Sequence, residues 1–138
     1  MKPYELIDHT ADVGLRAFGK TLPELFRNAA VGMFEMMTDL EKVAHKDKRD
    51  IRLEEKNVED LFIRWLQELL YRFSVDRAFY GEFQFQELTE QSLSATIRGE
   101  KIDDRKHPLK KEVKAVTYHA LKVEKSGAGW VGEVIFDI

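Results

Sequence analysis

"TLPELFRNAAVGMFEMMTD", Thr21 to Asp39, decides the fold class. Leu22, Leu25, Phe26, Ala29, Ala30, Met33, Phe34 and Met37 recur at steps of three and four, the spacing of one face of an α-helix. Thr21 and Glu24 are placed as a capping box, and Pro23 falls in the first turn, where a missing N–H costs nothing. The Phe and Met side chains of this stripe read as a core face rather than a cofactor pocket. A second stretch, "NVEDLFIRWLQELLYRFSVD", Asn57 to Asp76, repeats the pattern. Asn57 is its N-cap, and Val58, Leu61, Phe62, Trp65, Leu66, Leu69, Leu70 and Phe73 are its apolar stripe.

Outside these helices the pattern changes to period two. "YELID" and "VGLRAFG" precede the first helix as short strands, and "GEFQFQEL", "SLSATIRG", "VTYHALKVEK" and "WVGEVIFDI" follow the second. Residues 39–56 are charge-rich with sparse apolar points and read as an exposed edge strand. "EKIDDRKHPLKKEVK" is polar and basic and contains Pro108, so about 100–115 reads as an inserted loop. The expected fold is α+β: a two-layer sandwich of two amphipathic helices on one face of a mostly antiparallel sheet, in a single domain spanning 1–138, with an inserted strand or loop segment.

The 138 residues, 43% hydrophobic and 34% charged, describe a soluble globular chain with a core of its own. A net charge of −3 writes no long-range attraction to nucleic acid into the total. The absence of cysteine excludes disulfides, thiolate metal sites and a cysteine nucleophile. No signal-peptide pattern and no apolar run near the roughly 20 residues of a membrane helix is present, so the cytoplasm is the expected location and no membrane contact is expected.

"GAGWVG", Gly127 to Gly132, has the glycine spacing of a dinucleotide fingerprint, but a strand follows it where that motif needs a helix, so it reads as a hairpin turn. His9, His45, His107 and His119 include no helical i, i+4 pair of the zinc type. His119 shares a strand face with Leu121 and Val123 and reads as a half-buried histidine. The basic segment holding Lys101, Arg105, Lys106, His107, Lys110, Lys111 and Lys114 reads first as solvated surface, with contact to a phosphate or acidic surface as the functional alternative.

Two acidic places stand out. "DHTADVG", Asp8 to Gly14, brackets His9 between Asp8 and Asp12 where a strand meets a loop. At the other end, Asp137 interrupts an apolar strand face and stands beside Ile138, which carries the α-carboxylate. If the two ends meet, several carboxylates converge, and a hard divalent cation relieves their repulsion. The spacing leaves a second reading open, in which Asp8 and Asp12 only cap the turn.

"DHTADVG" at 8–14, "EDLFIRWLQELLYRFS" at 59–74, "HPLKKEVKAVTYHAL" at 107–121 and the ending "FDI" together resemble the archease family over nearly the whole chain. The resemblance implies a helix-and-sheet sandwich and a non-enzymatic role as protein cofactor of the tRNA-splicing RNA ligase. In that role the protein promotes ligase guanylylation and multiple turnover and broadens nucleotide use, meeting tRNA and GTP only through the ligase. It implies a divalent metal ion, seen as calcium in the family, with magnesium or manganese as alternatives. By position in the motifs, Asp12, Asp137 and Ile138 are the expected ligands and Lys114 the expected activating lysine. Asp8 and His9 are expected to shape the turn, and with His119 they are counted among the residues contacting the ligase. Two other functions remain open: a stand-alone metal-dependent hydrolase or nuclease, and a chaperone-like adaptor of nucleic-acid-processing enzymes.

Overall fold

A computed structural model describes residues 2–8 and 11–138. The chain runs β1 (Tyr4–Asp8), β2 (Asp12–Gly19), α1 (Leu22–Met37), a 3-10 turn (Leu40–Lys42), β3 (Asp47–Glu54), α2 (Val58–Asp76), β4 (Ala78–Leu88), β5 (Ser92–Lys101), β6 (Ala115–Ser126) and β7 (Gly129–Asp137). The expected α+β class holds, and every strand pairing is antiparallel. The strands divide into two sheets, which periodicity alone does not reveal. One has the order β1-β2-β7-β6 and the other β3-β5-β4, and both helices contact both sheets.

Both helices start as their sequences predict. Thr21 Oγ1 accepts the Glu24 N–H at 3.2 Å, and Asn57 Oδ1 accepts the Asp60 N–H at 2.8 Å. The apolar stripes face inward: Phe26, Phe34, Phe62 and Trp65 are fully buried. Trp65 donates its indole N–H to the Phe26 carbonyl at 3.0 Å and meets the Phe83 ring edge-on. Gly132 of β7 lies so close to the Phe62 ring that a Cβ there would approach it to 2.9 Å, so the glycine lets α2 seat on the sheet.

β3 is an edge strand, as its charge predicts. The hairpin between β6 and β7 turns at Gly127 and Ala128, with a positive φ of 62° at Gly127 alone, the type II′ pattern. Residues 102–114 carry no regular helix or strand and join β5 to β6. Among the described residues no helix is long and apolar enough to cross a membrane.

Candidate functional site

The last strand is not at an edge. β7 lies between β2 and β6, so the end of the chain is held on both sides. This explains why an acid there is positioned rather than frayed. Asp12, the first residue of β2, is the cross-strand partner of Asp137, and Ala115 is the partner of Asp137 on the other side. The Ile138 N–H donates to the Ala11 carbonyl at a long 3.5 Å, and the Ile138 side chain packs against the core. The Lys114 N–H donates to the Asp137 carbonyl at 2.8 Å. Residues 12, 137, 138 and 114, distant in sequence, thus form one end of the four-stranded sheet.

Alternation along β2 separates the acids. Val13, Leu15 and Ala17 point into the core, so Asp12 belongs to the opposite, outer face with Gly14 and Arg16. Asp8 pairs with Val13 and therefore shares the other face from Asp12. The two acids of "DHTADVG" do not converge on one point. His9 lies outside the described residues.

Among the described residues, the Asp12 Oδ1 atom is buried and has no hydrogen-bond partner, and the only other such side-chain atom is Thr38 Oγ1. An orphaned carboxylate oxygen is costly, on the order of 1–3 kcal/mol or more. Directly opposite like charges in an antiparallel pair add to that cost. Among the described residues no cation pairs with Asp12 or Asp137, and no three Asp, Glu or His side chains gather as a complete metal cage. The side-chain donors present are the carboxylates of Asp12 and Asp137, beside which the sequence expects Ile138 to contribute. These are hard oxygen donors suited to Ca²⁺, Mg²⁺ or Mn²⁺, and too few to fill the six to eight positions of Ca²⁺. The set fits a bound cation whose other positions are open.

His119 departs from expectation. Between Thr117 and Lys122 the chain takes five steps while β7 takes two, from Ile135 to Glu133. This bulge puts Ala120 at φ 55° and breaks the alternation, so His119 is exposed rather than half-buried. Tyr118 beside it is 60% exposed. The basic segment is also less free than its composition implies. Lys101 donates to the Asp76 carbonyl, Lys106 pairs with Glu100, and Lys110 pairs with Asp39. His107 is fully buried. Nothing in the sequence around His107 marks that burial, because it rests on hydrogen bonds with Glu100 and Asp103 and on the Phe79 ring rather than on an apolar period. Lys114 is exposed and, among the described residues, makes no ion pair.

A family model described as the Archease protein family (MTH1598/TM1083) matches residues 4–138. The chain is 42% identical over 141 residues to a protein archease of Methanosarcina mazei, covering 99% of this chain and 97% of that protein. It is 37% identical to a protein archease of Pyrococcus abyssi over the full length of both. The solution structure of Methanobacterium thermoautotrophicum protein 1598 matches with a TM-score of 0.84 at 33% identity over all of both chains. The crystal structure of TM1083 from Thermotoga maritima, described as "an archease, possible chaperone", matches with a TM-score of 0.67 over 96% of this chain and 94% of that one; at 21% identity it bears on the fold alone.

Proposed function

Since the chain belongs to the archease family, we propose that it is a non-enzymatic activator of the tRNA-splicing RNA ligase and works in the cytoplasm through a divalent cation held at the acidic end of its four-stranded sheet. The observation that carries the reading is the buried Asp12 Oδ1, without a hydrogen-bond partner among the described residues, directly across from Asp137. Asp12, Asp137 and the α-carboxylate of Ile138 would hold the ion, and its open positions would face the partner. The ion would supply positive charge where the phosphates of a nucleotide must be neutralised and aligned, the main requirement of phosphoryl-type transfer. Lys114, free of ion pairs among the described residues and one residue from the partner of Asp137, adds a second positive group for a phosphate or an acidic residue of the ligase. His119 and Tyr118 on the bulge, and Asp8 on β1, extend the contact surface, and His9 is counted with them from the sequence motif alone.

The test is the rate of guanylate transfer to the ligase at saturating activator. Asp137→Ala and Lys114→Ala lie outside the core and are expected to keep the fold. Each should slow the transfer about tenfold or more, equivalent to ~1.4 kcal/mol. Trp65→Ala serves as the contrast: it should unfold the protein, losing roughly 3–5 kcal/mol of core packing. Folded Asp137→Ala and Lys114→Ala proteins that activate at the wild-type rate overturn the reading. Cleavage of RNA by this protein and a divalent metal, with no ligase present, replaces it with a hydrolase.

A further inference from the structure

The segment Ile102–Lys114 crosses from the end of β5, in one sheet, to the start of β6, in the other. A strap of this length without structure of its own stays in place only through its anchors. At its first end those anchors converge on one buried carboxylate. Glu100 Oε2 accepts the Ala44 N–H at 2.8 Å and lies 2.8 Å from His107 Nε2. Lys106 pairs with it at 2.7 Å and Lys46 at 3.6 Å. His107 Nδ1 accepts the Asp103 N–H at 3.0 Å, so Nε2 carries the proton and donates it to Glu100. Burial opposes the charge of Glu100, but the hydrogen bonds from Lys106, the Ala44 N–H and His107 prevail, and its pKa is pushed down to about 2.

The strap then seats on the end of α1. The Lys110 and Lys111 N–H groups donate to the Met37 and Met36 carbonyls, each at 3.0 Å, filling acceptors that a helix end leaves open. Val113 is buried, and the last contact is the Lys114 N–H on the Asp137 carbonyl. A continuous set of short contacts therefore runs from a buried Glu–His pair at one end of the strap to the acidic tip at the other.

We propose that Glu100 and His107 form a clamp that positions Lys114 against the acidic tip through the strap between them. They are positioning residues, and the proposal rests on the reading of that tip as the surface that acts on the ligase. The cation ligands sit on the β2–β7 ladder and the lysine on the strap, so the two can be separated. Loosening the clamp misplaces Lys114 and leaves the ligands where they are.

The experiment combines amide hydrogen exchange, calcium titration and ligase guanylylation on His107→Ala, Lys114→Ala and the double variant. In His107→Ala, exchange at the Lys110, Lys111 and Lys114 amides should rise about tenfold, with the helices and both ladders unchanged. Guanylylation should fall about fivefold, while calcium affinity stays within about twofold of wild type. Adding His107→Ala to Lys114→Ala should cost nothing further, because both act through the same ammonium group. His107→Gln, which retains a donor toward Glu100, should recover at least half of the stimulation. If His107→Ala does not fold, Glu100→Gln removes the charge that holds Lys106 and Lys46 and is read in the same way. Unchanged exchange in the strap, or losses that add in the double variant, overturn the clamp. A loss in Lys114→Ala with none in His107→Ala does the same and leaves the proposed function standing. Failure of the wild-type protein to stimulate the ligase overturns the proposed function, and the role of Lys114 with it.

Discussion

Two rows of side chains cross the outer face of the four-stranded sheet, and they treat charge in opposite ways. In the middle row, Glu5, Arg16, Glu133 and Lys122 alternate in sign across all four strands. Glu5–Arg16 closes at 2.6 Å, Arg16–Glu133 at 2.9 Å and Glu133–Lys122 at 3.6 Å. Lys2 and Arg16 hold Glu5 below the usual carboxylate range, and Glu133 and Glu5 hold Arg16 above its own ordinary value. At the end of the same two strands, Asp12 and Asp137 face each other with no cation between them among the described residues. The same ladder that places Arg16 against Glu133 places an acid against an acid. The sheet satisfies its charges in one row and leaves two carboxylates opposed in another, and the second row is where the proposed cation would sit.

The largest effect expected from this contrast is on cation binding. Asp12→Ala should weaken Ca²⁺ or Mn²⁺ binding, measured by titration calorimetry, at least tenfold, or about 1.4 kcal/mol and more. Glu133→Ala, an equally acidic residue of the paired row, should leave it unchanged. Equal losses in the two variants would show that the cation is drawn by general negative charge and erase the distinction between the rows.

A smaller effect should come from the chain end. Extending the protein beyond Ile138 converts an α-carboxylate into a neutral amide carbonyl and crowds the tip. A C-terminal tag should weaken calcium binding several-fold and reduce ligase stimulation with it, while an N-terminal tag should do neither. Tagged forms of equal affinity would leave Asp12 and Asp137 as the only carboxylates at the site and remove Ile138 from it.

Much of this arrangement was legible in the chain. The two helices and their caps follow from three- and four-residue spacing, which is local. Asp137 stands out as an acid at the end of a strand read as apolar on that face, although Glu133 shares the face, and Asp12 because it shares a short turn motif with another acid. That Asp12 and Asp137 lie directly opposite each other is not local, since strand order and register depend on pairings between distant segments. The same limit hid the division into two sheets. It also hid the bulge at Tyr118–Leu121, where the sequence keeps a strand-like pattern through a break in the ladder. His107 was hidden for a different reason. Its burial rests on hydrogen bonds with Glu100 and Asp103 and on the edge-on Phe79 ring rather than on apolar periodicity, and such contacts leave no period to read.

The smallest effect is on stability, and its sign separates the rows most sharply. In a metal chelator at low salt, Asp12→Asn removes one of two opposed charges. Cross-strand pairs of like charge cost a few tenths to about 1 kcal/mol, so the variant should be more stable than wild type by about 0.5 kcal/mol. Arg16→Gln breaks a charge pair on each side of a half-exposed residue, where water screens the loss. That variant should be slightly less stable. Urea midpoints at constant slope measure both. Screening by 1 M salt should shrink both changes, because both are Coulombic, and that of the half-exposed Arg16 more than that of the more buried Asp12. Adding calcium should then reverse the order for Asp12, since an ion that binds only the folded wild type stabilises it and not the variant. A loss of stability in Asp12→Asn without metal would mean that its carboxylate is already satisfied by the protein, and the contrast between the two rows would fail.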